Sequence, residues 1–332
     1  MSQDKPILAI TMGDAAGSGA EIITKALADA ETRDLCHPVV IGDAETMKVA
    51  FKLTEVPGGV RTIKTLDEAK FEKGIIDVID LKNIDLSKLQ YATISAMTGK
   101  AAFEYIDMAI KLALAKEVDA MVTSAINKES LNLGGYHYDG HTEILADKCN
   151  SSDVAMMLTS PKMRVSHVTT HVSLRRALEI ITTKRIATVI RLTDKATRQM
   201  GVAKPRIAVA GVNPHAGEHG LFGDEEEKLI APAIQQTHDE GIDVTGPYPP
   251  DSVFYRTSQG QFDASIAMYH DQGHIAIKML GILDGVNVTL GLPIIRTSVD
   301  HGTNFGKAGK GTAGPKSLIE AIKLATLMSK NR

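Results

Sequence analysis

Three histidines occupy places where a metal would be useful. His171 closes Val168-Thr169-Thr170-His171, His215 lies in Asn213-Pro214-His215-Ala216-Gly217, and His270 lies in Tyr269-His270-Asp271-Gln272-Gly273. Each follows an apolar, strand-like run, and ligands of open α/β sheets gather outside the carboxyl ends of the strands. Neutral imidazoles suit Zn, Co, Ni or Fe better than Mg, with Mn also acceptable. A three-ligand set leaves positions open for a substrate. The spacing is not a signature by itself. The chain has 11 histidines, and these three lie 44 and 55 residues apart; a loop or satisfied core histidine is the commoner case.

A second group is cationic and polar: Lys278 after Gly273-His274-Ile275-Ala276-Ile277, Asn287 within Gly285-Val286-Asn287-Val288, and Arg296 after Leu292-Pro293-Ile294-Ile295. Lys offers a point charge and Arg a bidentate fork to phosphate or carboxylate. The competing reading makes Lys278 and Arg296 solvated strand ends. Gly140-His141-Thr142-Glu143 stands at a helix start, where backbone N–H groups favour an anion. Its competing reading is a plain cap, with Thr142 capping and His141 exposed. Met12–Gly19 resembles a phosphate turn, but its glycines do not follow G-x-G-x-x-G and no G-K-[ST] is present. It is equally a tight strand-to-helix turn, and no cofactor is assigned to it.

The elements that must position these residues alternate. Strands are expected at Pro6–Met12, Pro38–Ile41, Asp119–Ser124, Met163–Thr169, Arg206–Gly211 and Phe262–Tyr269. Helices are expected at Gly19–Ala30, Thr98–Lys116, Asp224–Glu240 and Lys316–Lys330. This alternation predicts an α/β protein with a largely parallel sheet. At 332 residues the chain suits two lobes better than one compact core. No border is visible, as discontinuous lobes would explain. A net charge of −3 carries no nucleic-acid footprint, and no apolar stretch reaches the length of a membrane span. Two distant cysteines, Cys36 and Cys149, and a start without a leader pattern point to reduced thiols in the cytoplasm.

Together the motifs resemble the 4-hydroxythreonine-4-phosphate dehydrogenase family, from the first strand to about Pro315. The matching words are Met-Gly-Asp-x-Ala-Gly-x-Gly at 12–19, Gly-His-Thr-Glu at 140–143, Asn-Pro-His-Ala-Gly at 213–217, Ala-Met-Tyr-His-Asp-Gln-Gly at 267–273 and Arg-Thr-Ser-Val-Asp-His-Gly-Thr at 296–303. The resemblance implies an isocitrate/isopropylmalate dehydrogenase-like fold, with two lobes around a largely parallel sheet. It implies that His171, His215 and His270 hold a divalent metal (Zn, Co, Mn or Mg, with Zn the first choice) shared between the subunits of a homodimer. It also implies that His141, Thr142, Lys278, Asn287 and Arg296 contact substrate. Asp300, Gly302 and Thr303 look like the adenine-side NAD loop, although Asn304-Phe305-Gly306-Lys307 departs from that loop's small apolar pattern.

Two branches of the family share a carboxylate at C1, a hydroxyl at C3 and a phosphate at C4, and differ in an amine or hydroxyl at C2. Gly220–Glu226, His274–Lys278 and Thr170–Arg175 are more similar to the branch that oxidises D-threonate or D-erythronate 4-phosphate. The expected reaction is NAD-dependent oxidation at C3 and decarboxylation to dihydroxyacetone phosphate. The alternative is the amine substrate of pyridoxal phosphate synthesis. Lys278 is the expected acid/base, and Asp251 and Asp271 are expected to orient metal ligands. A phosphometabolite sensor and an acyl-phosphate enzyme are the rivals from other classes.

Overall fold

The computed structural model describes residues 5–281 and 285–332. It divides into two compact units. The first comprises Met1–Ser152 and Leu292–Lys330, and the second Asp153–Gly291 and Asn331–Arg332. Among the described residues the strands are β1 (Ile7–Thr11), β2 (His37–Gly42), β3 (Gly59–Ile63), β4 (Ile75–Asp80), β5 (Ala120–Thr123), β6 (Ala155–Ser160), β7 (Met163–His167), β8 (Ile207–Ala210), β9 (Val244–Tyr248), β10 (Ala264–Ala267), β11 (Val286–Leu290) and β12 (Arg296–Val299).

In the first unit the strand order is β3-β4-β2-β1-β5-β12, and every pairing is parallel. Ile-Leu-Ala-Ile and Pro-Val-Val-Ile are almost wholly buried in β1 and β2, as expected of strands covered on both faces. The helix Ala96–Leu114 buries Ala101, Ala102, Tyr105, Ile106 and Ala109 along one side, the i, i+3, i+4 stripe of a core-facing helix. β1 has β2 on one side and β5 on the other, so its carboxyl end is a topological switch point.

In the second unit the order is β11-β6-β7-β10-β8-β9. β11, β6 and β7 pair antiparallel, whereas β7, β10, β8 and β9 pair parallel. The core gathers Met156, Leu158, Val165, Phe254, Phe262 and Ile277. The segment 224–240, expected as one helix, opens as a π-helical turn, Glu226–Ile230, before the α-helix Ala231–Asp239. His270–Lys278 is a helix, so Lys278 ends a helix and not a strand. Gly273 lies inside it. Glycine weakens a helix by about 1 kcal/mol, but a Cβ here would collide with His167 Nε2 and lie 2.7 Å from Val165 Cγ1, so close packing on β7 requires it.

Candidate active site

In the second unit β7, β10 and β8 are adjacent and parallel, so the segments that follow them leave from one edge. His171 follows β7, His270 follows β10 and His215 follows β8. Side-chain bonds stitch these segments together. Thr169 Oγ1 donates to Met268 O (2.8 Å), Met268 N donates to Gln272 Oε1 (2.6 Å), and Gln272 Nε2 donates to Gly211 O (2.8 Å). Buried backbone groups need such partners, and here the partners fix the register of three neighbouring turns.

The backbone at two of the histidines is unusual. His171 has φ 47° and His215 φ 52°, the left-handed region that β-carbon sterics disfavour. His215 opens a run of positive φ through Ala216, Gly217, Glu218, His219 and Gly220. Left-handed conformation costs roughly 1–2 kcal/mol per non-glycine residue, about 4–8 kcal/mol for the four involved. Opposing this, Glu226, 3% exposed, accepts from Val212 N (2.7 Å), Asn213 N (2.7 Å) and Asn213 Nδ2 (2.9 Å). Hydrogen bonds to a charged group contribute about 1.5–3 kcal/mol each, which is of the same order as the strain. Strain of this kind persists where surrounding structure enforces it, commonly at functional sites.

His270 is held differently. It is the first residue of its helix, with Nδ1 2.6 Å from Asp271 Oδ1. Donation of Nδ1–H to Asp271 leaves Nε2 as the lone-pair nitrogen, the arrangement usual for a metal-ligating imidazole. The His274 ring stacks on His270 at 3.6 Å. His274 Nδ1 lies 3.0 Å from His270 O and 3.1 Å from His167 Nε2. Burial, with neighbouring imidazoles adding to it, lowers His167 to about 3 and His274 to about 4, so both are neutral at physiological pH.

These features bear on whether a cation fits. His171 and His270 rings lie 5.8 Å apart, and His171 and His215 are exposed on constrained backbone. Among the described residues of a single chain, no group of three His, Cys, Asp or Glu side chains is arranged to hold a metal. The donor types suit a divalent ion, but one chain does not bring all three into one cluster. Asp251 and Asp271 line a cavity of about 490 Å³ with Tyr269 and Gln272. Lys278 is half-buried at the end of the His270 helix, near enough for its charge to act on His274. Asn287 lies on β11, opposite Leu158 of β6.

In the first unit Arg296 opens β12 and is 2% exposed. Its Nε and Nη2 donate to Thr123 Oγ1 at 3.1 and 2.7 Å. Burial brings its pKa down to about 9, with Glu143 opposing, so it stays cationic at neutral pH. His141 is the first residue of the helix His141–Lys148, and Gly140, not Thr142, occupies the cap position. The ring is not exposed: Nε2 is buried without a hydrogen-bond partner. Burial, then Arg296, holds this imidazole well below the usual histidine range, which keeps it neutral. A buried nitrogen without a partner, under the charge of a buried guanidinium, has the chemistry to receive an anionic oxygen. Thr142 follows in the same helical turn. Thr303 O accepts from Ser18 N (3.0 Å), which places Thr303 against the 12–19 turn, whereas Asp300 N donates to Ser317 Oγ (3.2 Å) on the closing helix, with Gly302 between the two. The buried hydroxyls of Thr11, Ser18 and Ser124 lack partners around that turn.

Sequence reasoning passed over His167, His274, Glu226 and Thr123. A signal existed for some of them: His171, His215 and His270 each have a second histidine four residues away, at 167, 219 and 274. On a helix that spacing shares a face, and only the 270/274 pair is helical.

The family model for pyridoxal phosphate biosynthetic protein PdxA matches residues 34–325. A D-threonate 4-phosphate dehydrogenase from Cupriavidus necator is 47% identical, covering 100% of both chains. The crystal structure of a 4-hydroxythreonine-4-phosphate dehydrogenase from Klebsiella pneumoniae is 45% identical with TM-score 0.88, covering 98% of this chain and 100% of that one. A β-decarboxylating dehydrogenase from Thermococcus kodakarensis shares the fold alone, at 14% identity and TM-score 0.51 over 96% of this chain and 81% of that one. With two α/β units, the first wholly and the second partly parallel, the histidine-bearing strand ends and this near-complete match, the chain belongs to the PdxA family of dehydrogenases.

Proposed function

We propose that this PdxA-family oxidoreductase, which acts on a CH–OH group, oxidises 4-phospho-D-threonate or its D-erythronate epimer at C3 with NAD. Decarboxylation then gives dihydroxyacetone phosphate, CO2 and NADH. The observation that carries this reading is the left-handed backbone at His171 and His215, on segments that leave neighbouring parallel strands beside His270. With His270 they are proposed to hold a divalent cation, zinc first, across two subunits of a homodimer. Val172, Leu174, Leu221 and Phe222, apolar and 42–71% exposed near two of these histidines, support a partner subunit there.

When bound, the cation supplies positive charge beside the C3 oxygen and NAD supplies the hydride acceptor. The chain's own residues bind, orient and move protons. Arg296 and His141, with Thr142, hold an anionic end of the substrate; Asn287 contributes a polar contact. Lys278 takes the C3 hydroxyl proton. Loss of CO2 then breaks C1–C2, and the electron pair left on C2 is protonated by the same ammonium, so one lysine closes the proton cycle. Asp271 fixes the His270 ring, and Asp251 shares its cavity. Asp300, Gly302 and Thr303 are assigned to NAD.

A second reading, 4-phosphooxy-threonine with an amine at C2, draws on the Klebsiella structure. The full-length likeness to the Cupriavidus protein and the 220–226 and 274–278 segments favour the hydroxyl. No helix among the described residues is long and apolar enough to cross a membrane, and a cytoplasmic place fits the free thiols of Cys36 and Cys149. The test is NADH formation from both acids side by side. A kcat/KM at least about tenfold higher for the C2-hydroxy acid is expected, the size of one lost polar contact; a preference for the amine would assign the chain to the other branch. Lys278→Ala should lower kcat by about 100-fold or more while NAD affinity holds. An effect confined to NAD binding would remove Lys278 from the chemistry.

A further inference from the structure

We propose that Glu226 is the positioning residue for His215, holding the left-handed run 215–220 in the conformation that presents the imidazole. This rests on the reading of His215 as a metal ligand. Three observations carry it. First, Glu226 accepts the two backbone N–H groups of Val212 and Asn213, which immediately precede Pro214-His215, as well as the Asn213 side-chain amide; Glu225 takes a second bond from that amide at 2.6 Å. Second, the carboxyl group occupies the inside of the turn. A Cβ on Gly217 would lie 2.8 Å from Glu226 Oε2, and one on Gly211 would lie 2.9 Å from both Glu226 Oε1 and Ala216 Cα. Third, Glu226 opens the π-helical turn Glu226–Ile230, a local widening that recurs at functional sites.

The residue just before Val212 and Asn213, Gly211, is gripped from the other side. Gln272 donates to Gly211 O and accepts from Met268 N, two residues before His270. Consecutive backbone groups, the Gly211 carbonyl and the Val212 and Asn213 amides, are therefore divided between Gln272 and Glu226. One anchors the turn to the His270 segment, and the other bends it. Without the carboxylate, the run keeps only turn bonds of its own, such as Phe222 N to Gly217 O (3.1 Å) and Ala216 N to Asn213 O (3.2 Å), against the strain of four left-handed non-glycine residues, and the His215 ring loses its fixed direction. A carboxylate is required because every group it meets here is an N–H donor; an amide would turn its own N–H groups toward some of them.

The test uses the full-length protein stripped of metal by chelation and titrated with Co(II), reading affinity and the visible absorption of the bound ion. Glu226→Gln should bind Co(II) about 10- to 100-fold more weakly, the range for residues that orient a ligand, with an altered absorption band. Asn213→Ala, which leaves the backbone donors in place, should show a smaller loss in the same direction. His215→Ala should lose binding. If His215→Ala binds as the unaltered protein does, the reading of His215 as a ligand fails and the inference falls with it. If His215→Ala loses binding but folded Glu226→Gln keeps the original affinity and spectrum, the positioning role alone is overturned. If Glu226→Gln does not fold, Asn213→Ala decides: original affinity and spectrum refute the role, and weakened binding supports it.

Discussion

The first unit carries its proposed site residues on regular structure and buries them, whereas the second exposes its proposed metal ligands and bends the backbone at two of them. Arg296 and His141 are the first residues of a strand and a helix, in ordinary conformations, and desolvation is the unfavourable term: it lowers both pKa values. His171 and His215 are solvent-exposed and sit at φ 47° and 52°, where backbone conformation is the unfavourable term. Both arrangements pre-orient a group before any ligand arrives. They differ in what a mutation releases.

The largest expected effect is on the strained side. His171→Gly removes an exposed ring and relieves the left-handed residue, so stability should rise by about 1 kcal/mol while metal-dependent turnover falls about 1000-fold or more. Urea unfolding and NADH formation measure the two together. A stability loss would show that φ 47° is not strained, and retained turnover would remove His171 from the site.

On the buried side, Arg296→Lys keeps the charge and loses the planar fork that reaches Thr123. KM for the phosphorylated acid should rise about 10- to 100-fold, the weight of one or two charge-assisted bonds. An unchanged KM would leave Arg296 as a structural residue of β12.

Much of this contrast was legible in the sequence, but unevenly. Thr98–Lys116 was read close to the observed Ala96–Leu114, and the closing helix Lys316–Lys330 matches end for end, because both have sustained helical periodicity. β1 and β5 were legible as short apolar runs. The strand ends bearing His171, His215 and His270 were also visible, and the strand order then made them neighbours. The left-handed run was not legible. Pro214-His215-Ala216-Gly217-Glu218-His219-Gly220 has two glycines and does not specify that hand; Glu226, 11 residues downstream of His215, imposes it. The His270–Lys278 helix was hidden by Gly273 and the β-branched Ile275 and Ile277, which packing against β7 overrides. The neutral state of His141 could not be read from Gly-His-Thr-Glu, since burial in the fold sets it and the charge of Arg296, 155 residues away, adds to it.

The smallest effect sharpens the buried side further. His141 is neutral when folded but takes a proton near pH 6.5 when unfolded. The unfolded chain therefore binds more protons as pH drops below about 6.5, and stability contributed above that pH is lost on acidification. His141→Gln should flatten this loss, by at most about 1.4 kcal/mol per pH unit, in urea midpoints compared at pH 7.5 and 5.5. Parallel acid limbs in the two proteins would mean that His141 is not held neutral by burial.

The most direct measurement is product stoichiometry with and without metal. Chelator-treated protein given NAD and 4-phospho-D-threonate should form neither NADH nor dihydroxyacetone phosphate; added Zn(II) or Co(II) should restore both, with one dihydroxyacetone phosphate for each NADH. Undiminished NADH formation by the metal-free protein, or NADH without the decarboxylated product, would contradict metal-assisted oxidative decarboxylation by this chain.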